Sequence, residues 1–352
     1  MKLKQTTLAT AIAATLALGM SGQAAASVYA RSYLEVDNLH VLVSPTAGAT
    51  IRSFTFNTNI SAGLNNGSAA AEILACGGSP GLPGVGNSCN AGPTRLDAPV
   101  VNAPGSTVLQ ANNAFVFNGP GANQYSNADT VIWTAGLTGD TTLVDFDGPG
   151  PNPAVPVPTT HTEQIAESEI QGGSVAAAQS LIDSITGFTF AFSTTNAGTL
   201  TVTLDAVQNM LAAINDPTGI NQNALATMDV SLKLQKDGVA TNFVQFSPNG
   251  QGTGCIDISS DLTCTSLLDP FNLSLAQAGT TSNNDSDTLI NSGAFGVQMG
   301  ITGAGDWTLT LTQKTSTVVS RREQAVPEPG VLALLGIGLA GLSFMSRRRK
   351  AA

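Results

Sequence analysis

The chain has 352 residues, 37 of them glycine, and only 11% are charged, against roughly 25% in ordinary soluble domains. A formal charge of −10 excludes a phosphate-binding surface, because so acidic a body repels a nucleic-acid backbone. With 42% apolar residues the chain can still bury a core, which excludes wholesale disorder.

Residues 1–26 read as an export signal. Lys2 and Lys4 form a positive start, residues 8–20 an apolar stretch, and Ala24-Ala25-Ala26 a small-residue cleavage site whose recognition alanines are Ala24 and Ala26. The apolar stretch is too short to span about 30 Å of hydrocarbon. Export by the Sec machinery follows from this reading.

Between residues 27 and 325, alternating apolar patterns bounded by Gly, Asn, Pro and Thr predict an all-β body, an antiparallel β-sandwich of jelly-roll-like type. Candidate strands are 33–43, 50–58, 114–118, 130–133, 141–146, 188–193, 199–205, 228–234, 242–247, 271–275, 295–300 and 307–312. The clearest are 199–204 and 307–312, where period-two alternation places Leu and Val on one face and Thr on the other. Residues 163–185 carry isoleucines and leucines at helical spacing and predict a helix broken at Gly172-Gly173. Residues 207–214 fit a helix or a continuation of the preceding strand equally well. Gly- and Pro-rich composition marks insertions near 61–110 and 147–160 within what reads as one body.

The four cysteines form two local pairs, Cys76 with Cys89 and Cys255 with Cys264. In an exported chain these predict disulfides, each contributing up to roughly 3 kcal/mol in the chain-entropy model. Zinc is disfavoured, since neither spacing is Cys-x-x-Cys and no histidine is near.

Little points to catalysis. Gly77-Gly78-Ser79-Pro80-Gly81 fits the nucleophile-elbow formula, but Pro80 and Pro83 oppose the helix that must follow the serine. Gly336-Ile337-Gly338-Leu339-Ala340-Gly341 fits the dinucleotide formula without a preceding strand. His40 and His161 are the only histidines, and both read as strand or loop residues. A carboxylate pair for a secreted hydrolase is not singled out, because such a pair is set by spatial separation. No cofactor is implied. Calcium is the ligand best suited to the oxygen-rich loops around Asp145 and Asp147 and around Asp285 and Asp287, although neither completes an EF-hand and solvated Asx turns explain both. With Trp133 and Trp307 the only tryptophans, a sugar-stacking platform is thin.

The end of the chain carries Val326-Pro327-Glu328-Pro329-Gly330, an apolar run over residues 331–345, and Arg347, Arg348, Arg349 and Lys350. Fifteen apolar residues make about 22 Å of helix, a short membrane span. The cation cluster places the C-terminus in the cytoplasm and the body across the inner membrane. Pro327, Glu328 and Pro329, the short helix and the basic stop resemble the PEP-CTERM sorting signal of Gram-negative bacteria, over residues 326–352. The resemblance implies recognition by a membrane-embedded exosortase, cutting near the motif, and delivery to the cell surface or extracellular matrix. The expected function is a non-enzymatic structural or adhesion protein associated with exopolysaccharide, with a calcium- or glycan-binding surface module as the alternative. Removing both signals leaves 8 cations against 23 acids, a body of about −15.

Overall fold

The computed structural model describes residues 27–45, 48–78, 94–97, 99–112, 114–121, 123–134, 161–171, 176–214, 222–257, 262–278 and 289–321. Within them every regular element is a strand. In chain order these are β1 (Ser27–Ser44), β2 (Ala49–Leu64), β3 (Gly67–Gly78), β4 (Thr94–Asp97), β5 (Val101–Asn102), β6 (Tyr125–Thr134), β7 (His161–Gln171) and β8 (Ala176–Thr194). They continue as β9 (Gly198–Ile214), β10 (Asn223–Lys236), β11 (Phe243–Phe246), β12 (Cys255–Asp257), β13 (Cys264–Leu268), β14 (Leu275–Ala278), β15 (Leu289–Ile301) and β16 (Gly305–Arg321).

The strands build two antiparallel sheets. Sheet A runs β13-β15-β9-β1-β7-β6-β4, with β5 also on β6; sheet B runs β12-β11-β10-β16-β8-β2-β3, with β14 also on β10. They pack face to face, β1 over β10 and β16, β7 over β8 and β16, β6 over β2 and β8. One apolar core drawn from both sheets fills the space between them, the all-β sandwich expected from the alternation. In 199–204 and 307–312 the Leu, Val and Trp side chains are buried and the threonines only half-buried, as period two requires.

Three expectations are corrected. Residues 163–185 hold no broken helix: 161–171 are β7 and 176–185 belong to β8. Ile165 and Ile170 are five apart, so on a strand they lie on opposite faces, and both faces of β7 are buried. A strand covered on both sides shows no one-sided alternation, and its isoleucines happened to fit helical spacing. Residues 114–118 are an irregular strap rather than a strand: the Ala114 amide turns back to Ala111 O, and at the far end the amides of Asn118 and Gly119 donate to the Glu167 side chain instead of to a ladder. Of 271–275 only Leu275 lies in a strand; Asn272 Oδ1 accepts from the Ser274 amide and turns the chain there. The ambiguous 207–214 continue β9. Residues 61–110 include the end of β2, all of β3, β4 and β5. The strand expected at 141–146 and the stretch 147–160 lie outside the described residues.

The sandwich has two distinct ends. Ser27 pairs with Gln171, Val28 with Ile214, Ser320 with Asn223 and Arg321 with Ala176, so β1 begins and β16 finishes at one end. At the other end lie the turns between β1 and β2, β8 and β9, β10 and β11, and β15 and β16. These turns brace one another: the Thr195 amide donates to Gly48 O, the Asp237 amide to Asp306 O, and Thr194 Oγ1 to Gly303 O. Gly48 adopts φ +85°, where a Cβ would also strike Thr195 Oγ1, so only glycine fits that turn.

Candidate functional site: a carboxylate-held strap and the sorting tail

The most elaborate polar arrangement among the described residues lies on the outer face of sheet A. Period two aligns Tyr29, Arg31, Tyr33 and Glu35 of β1 beside Glu169, Glu167, Ile165 and Glu163 of β7, and Tyr125 of β6 also stands opposite Glu169. A strap formed by residues 103–121 crosses this face. It is tied at its base by the Ala103 amide to Ser126 O, by the Thr107 amide to Gln124 O, and by reciprocal bonds between the Asn102 side chain and the Gln110 backbone.

The strap is gripped by two carboxylates. Glu167 Oε1 accepts from Tyr29 Oη at 2.5 Å and from the Gly119 amide at 2.9 Å, while Oε2 accepts from the Asn118 amide and the Asn118 side chain, both at 3.0 Å. Glu169 accepts from the Gly121 amide at 3.0 and 3.2 Å. Tyr125 Oη donates to Gly119 O at 3.3 Å. Phe117 packs edge-on against Tyr33, and the Arg31 guanidinium lies 4.1 Å above its ring. Tyr29, Tyr125, Glu167 and Glu169 are fully buried.

Burial sets the electrostatics. Loss of water around Glu169 raises its carboxyl to about 7, reinforced by neighbouring Glu167 and opposed by the Gly121 amide and the Ser27 side chain. Desolvation, then adjacent glutamates, push the phenols of Tyr29, Tyr33 and Tyr125 far up, so all three stay protonated donors. With their oxygens engaged by the strap, Glu167 and Glu169 are tethering groups. The sequence signal for them was period two over residues 163–169, with Glu163, Ile165, Glu167 and Glu169 alternating with Gln164, Ala166 and Ser168, which the helical spacing of the isoleucines obscured.

The remaining predicted residues fall as follows. Cys255 and Cys264 form a disulfide with Cα atoms 5.6 Å apart. It joins β12, the edge of sheet B, to β13, the edge of sheet A, and so staples the two sheets at one rim. Cys76 lies in β3 and Cys89 outside the described residues. Asp145, Asp147, Asp285, Asp287, Ala24, Ala26 and the tail residues Pro327, Glu328, Pro329, Arg347, Arg348, Arg349 and Lys350 lie outside them as well. Among the described residues no group of three His, Cys, Asp or Glu side chains is placed to hold a metal ion, and no helix is long and apolar enough to cross a membrane. His40 stands in β1 opposite Thr203, and His161 opens β7 opposite Trp133. Trp307 is fully buried in the core and offers no surface to a sugar ring.

The sequence reading missed Asp269. Its carboxylate accepts from the amides of Asn249, Gly250 and Gly252, closing the turn after β11. The cue was Asn249-Gly250-Gln251-Gly252, whose glycines at φ +72° and +67° turn successive amides towards one anion.

No curated protein and no solved structure matches the chain. Residues 325–350 match the family model of the PEP-CTERM protein-sorting motif. The chain is thus an exported protein that carries this motif at its C-terminus and is sorted through it by an exosortase.

Proposed function

We propose that the body is a non-enzymatic structural or adhesion component of the cell surface or of an exopolysaccharide-associated matrix, delivered there after exosortase cleavage. The observation that carries this reading is the sorting motif at 325–350 behind a sandwich whose buried glutamates are committed to holding a strap. A body of about −15 stays dispersed while in transit and suits a hydrated polymer matrix. Deleting residues 326–352 tests the reading: the truncated body should leave the surface fraction and collect in the periplasm. Normal surface delivery without the tail would overturn it.

The aspartate-rich stretches 145–147 and 285–287 favour a second reading, a calcium-binding surface module. Titrating calcium into the purified body by calorimetry separates the two. Saturable heat with a rise in Tm supports the module, and no heat supports the plain structural role.

A further inference from the structure

We propose that, while tethered for sorting, the sandwich stands upright on the membrane, with the end that carries Ser27 and Arg321 against the bilayer and the four braced turns facing away from it. This rests on the sorting reading of the tail and adds to it which surface the body presents.

The geometry comes from strand register. Ala30, three residues into β1, stands opposite Ser168 of β7, and Ser168 Oγ lies 2.9 Å from Thr317 Oγ1 of β16. The start of β1 and the finish of β16 are therefore stacked at one end, across the two sheets. Nine residues separate Arg321 from the apolar run that starts at 331, a reach of at most about 36 Å, less than the length of the sandwich. A tether this short keeps the Arg321 end of the sandwich nearer the bilayer than its far end. The expected export signal ends at Ala26, immediately before β1, so both processed segments leave from the same end.

The opposite end lies the length of β10 away, fourteen residues or about 45 Å. It is a built surface: Arg52 pairs with Asp237 at 2.6 Å and Asp306 at 3.4 Å, Ser193 Oγ donates to Asp306 and Thr308 Oγ1 to Asp237. These ties join β2, β8, β16 and the β10–β11 turn, and keep the outward turns in place while the other end is held.

Two exposed positions at opposite ends of β10 test this. Asn223 opens the strand at the terminal end and Ala240 lies in the turn beyond its finish. Full-length Asn223→Cys and Ala240→Cys chains, each labelled with a fluorescent donor, are reconstituted in phosphatidylethanolamine–phosphatidylglycerol vesicles that contain an acceptor-labelled lipid. Energy transfer from position 223 should exceed that from position 240 at least threefold. Equal transfer from a bound chain means a body lying on its side, and stronger transfer from 240 means an inverted one; either overturns the orientation alone. A full chain that stays in solution, or a body lacking 326–352 that binds vesicles equally well, overturns the tail reading and the orientation with it.

Discussion

The two halves of the sandwich share one apolar core, but the half near the turns is packed by large aromatic and aliphatic side chains whereas the terminal half adds a polar seam to its smaller apolar residues. In the half near the turns, Leu200, Val202, Phe190, Phe192, Leu232, Leu234, Phe246, Phe295, Trp307, Leu309 and Leu311 are all buried, and the rings of Phe188, Phe190 and Phe192 follow one another at 5.9 and 5.4 Å. In the terminal half Gln313, Thr315 and Thr317 of β16 also point inward and face Thr162, Gln164 and Ser168 of β7, among apolar neighbours such as Ile60, Met210, Ala224 and Val319. There hydrogen bonds tie sheet to sheet: Thr162 to Gln313 at 2.7 Å, Ser168 to Thr317 at 2.9 Å and Ser32 to Thr227 O at 3.0 Å. Apolar packing supplies energy without direction, whereas paired hydroxyls and amides have geometry and set how one sheet sits on the other. The end that holds the polar seam is the end from which the chain enters and leaves.

The largest effect belongs to the apolar half. Trp307→Ala removes the largest fully buried side chain among the described residues, and should cost about 3–5 kcal/mol of unfolding free energy, read as a lower urea midpoint at unchanged m-value. A cost below 1 kcal/mol would show that this half does not carry the stability of the sandwich.

Next comes the strap that covers the outside of the polar half. Glu167→Ala leaves the amides of Asn118 and Gly119 and the Tyr29 hydroxyl without their acceptor. Each orphaned donor costs about 1–3 kcal/mol, but the strap can peel away and hydrate, which caps the loss at its own docking energy. Amide exchange over 114–121 should accelerate at least 100-fold while the β16 amides change less than threefold. Equal acceleration in both would make the strap part of the core.

Burial of Glu169 sets the sign of a pH dependence. Its carboxyl is raised from 4.5 to about 7, so folding favours the protonated form: stability is greatest below pH 4.5, falls as pH rises towards 7 and then levels. A shift of that size corresponds to about 3 kcal/mol across the window. Glu169→Gln should flatten this slope and stabilise the body at pH 8, measured as Tm from pH 4 to 8. A slope that survives the substitution would assign the linkage to another group.

How far the sequence was legible follows the same division. The turn half declares itself, because Thr199–Leu204 style alternation is what a strand wet on one face produces. The terminal half hides: β7 puts Thr, Gln and Ser inward and Glu outward, both buried, so hydrophobicity carries no period there. The strap was misread for a related reason. Residues 114–118 are apolar enough for a strand, but the glutamates of β7, some fifty positions later, take the amides of Asn118, Gly119 and Gly121 at its end. The tail was legible because its order of motif, apolar run and cations is local, while the disulfide's role in joining the two sheets depends on topology that cysteine spacing does not contain.

The smallest effect is the one that tests the polar seam itself. Thr317 Oγ1 bonds Ser168 Oγ, which also lies 3.1 Å from Ser126 Oγ, so three hydroxyls link β6, β7 and β16. Thr317→Val keeps the branched shape and removes one hydroxyl, and Ser168 retains Ser126 as a partner. If the seam is a set of independent pairs, the loss should be about 1 kcal/mol, the net worth of one hydrogen bond. Double-mutant cycles with Ser126→Ala should then give a coupling energy below about 0.5 kcal/mol. A single-variant loss above 2 kcal/mol, or strong coupling between Thr317 and Ser126, would mean that the hydroxyl chain acts as one unit. In that case the terminal half would hold its register through cooperative polarity, as firmly as the turn half holds through aromatic packing.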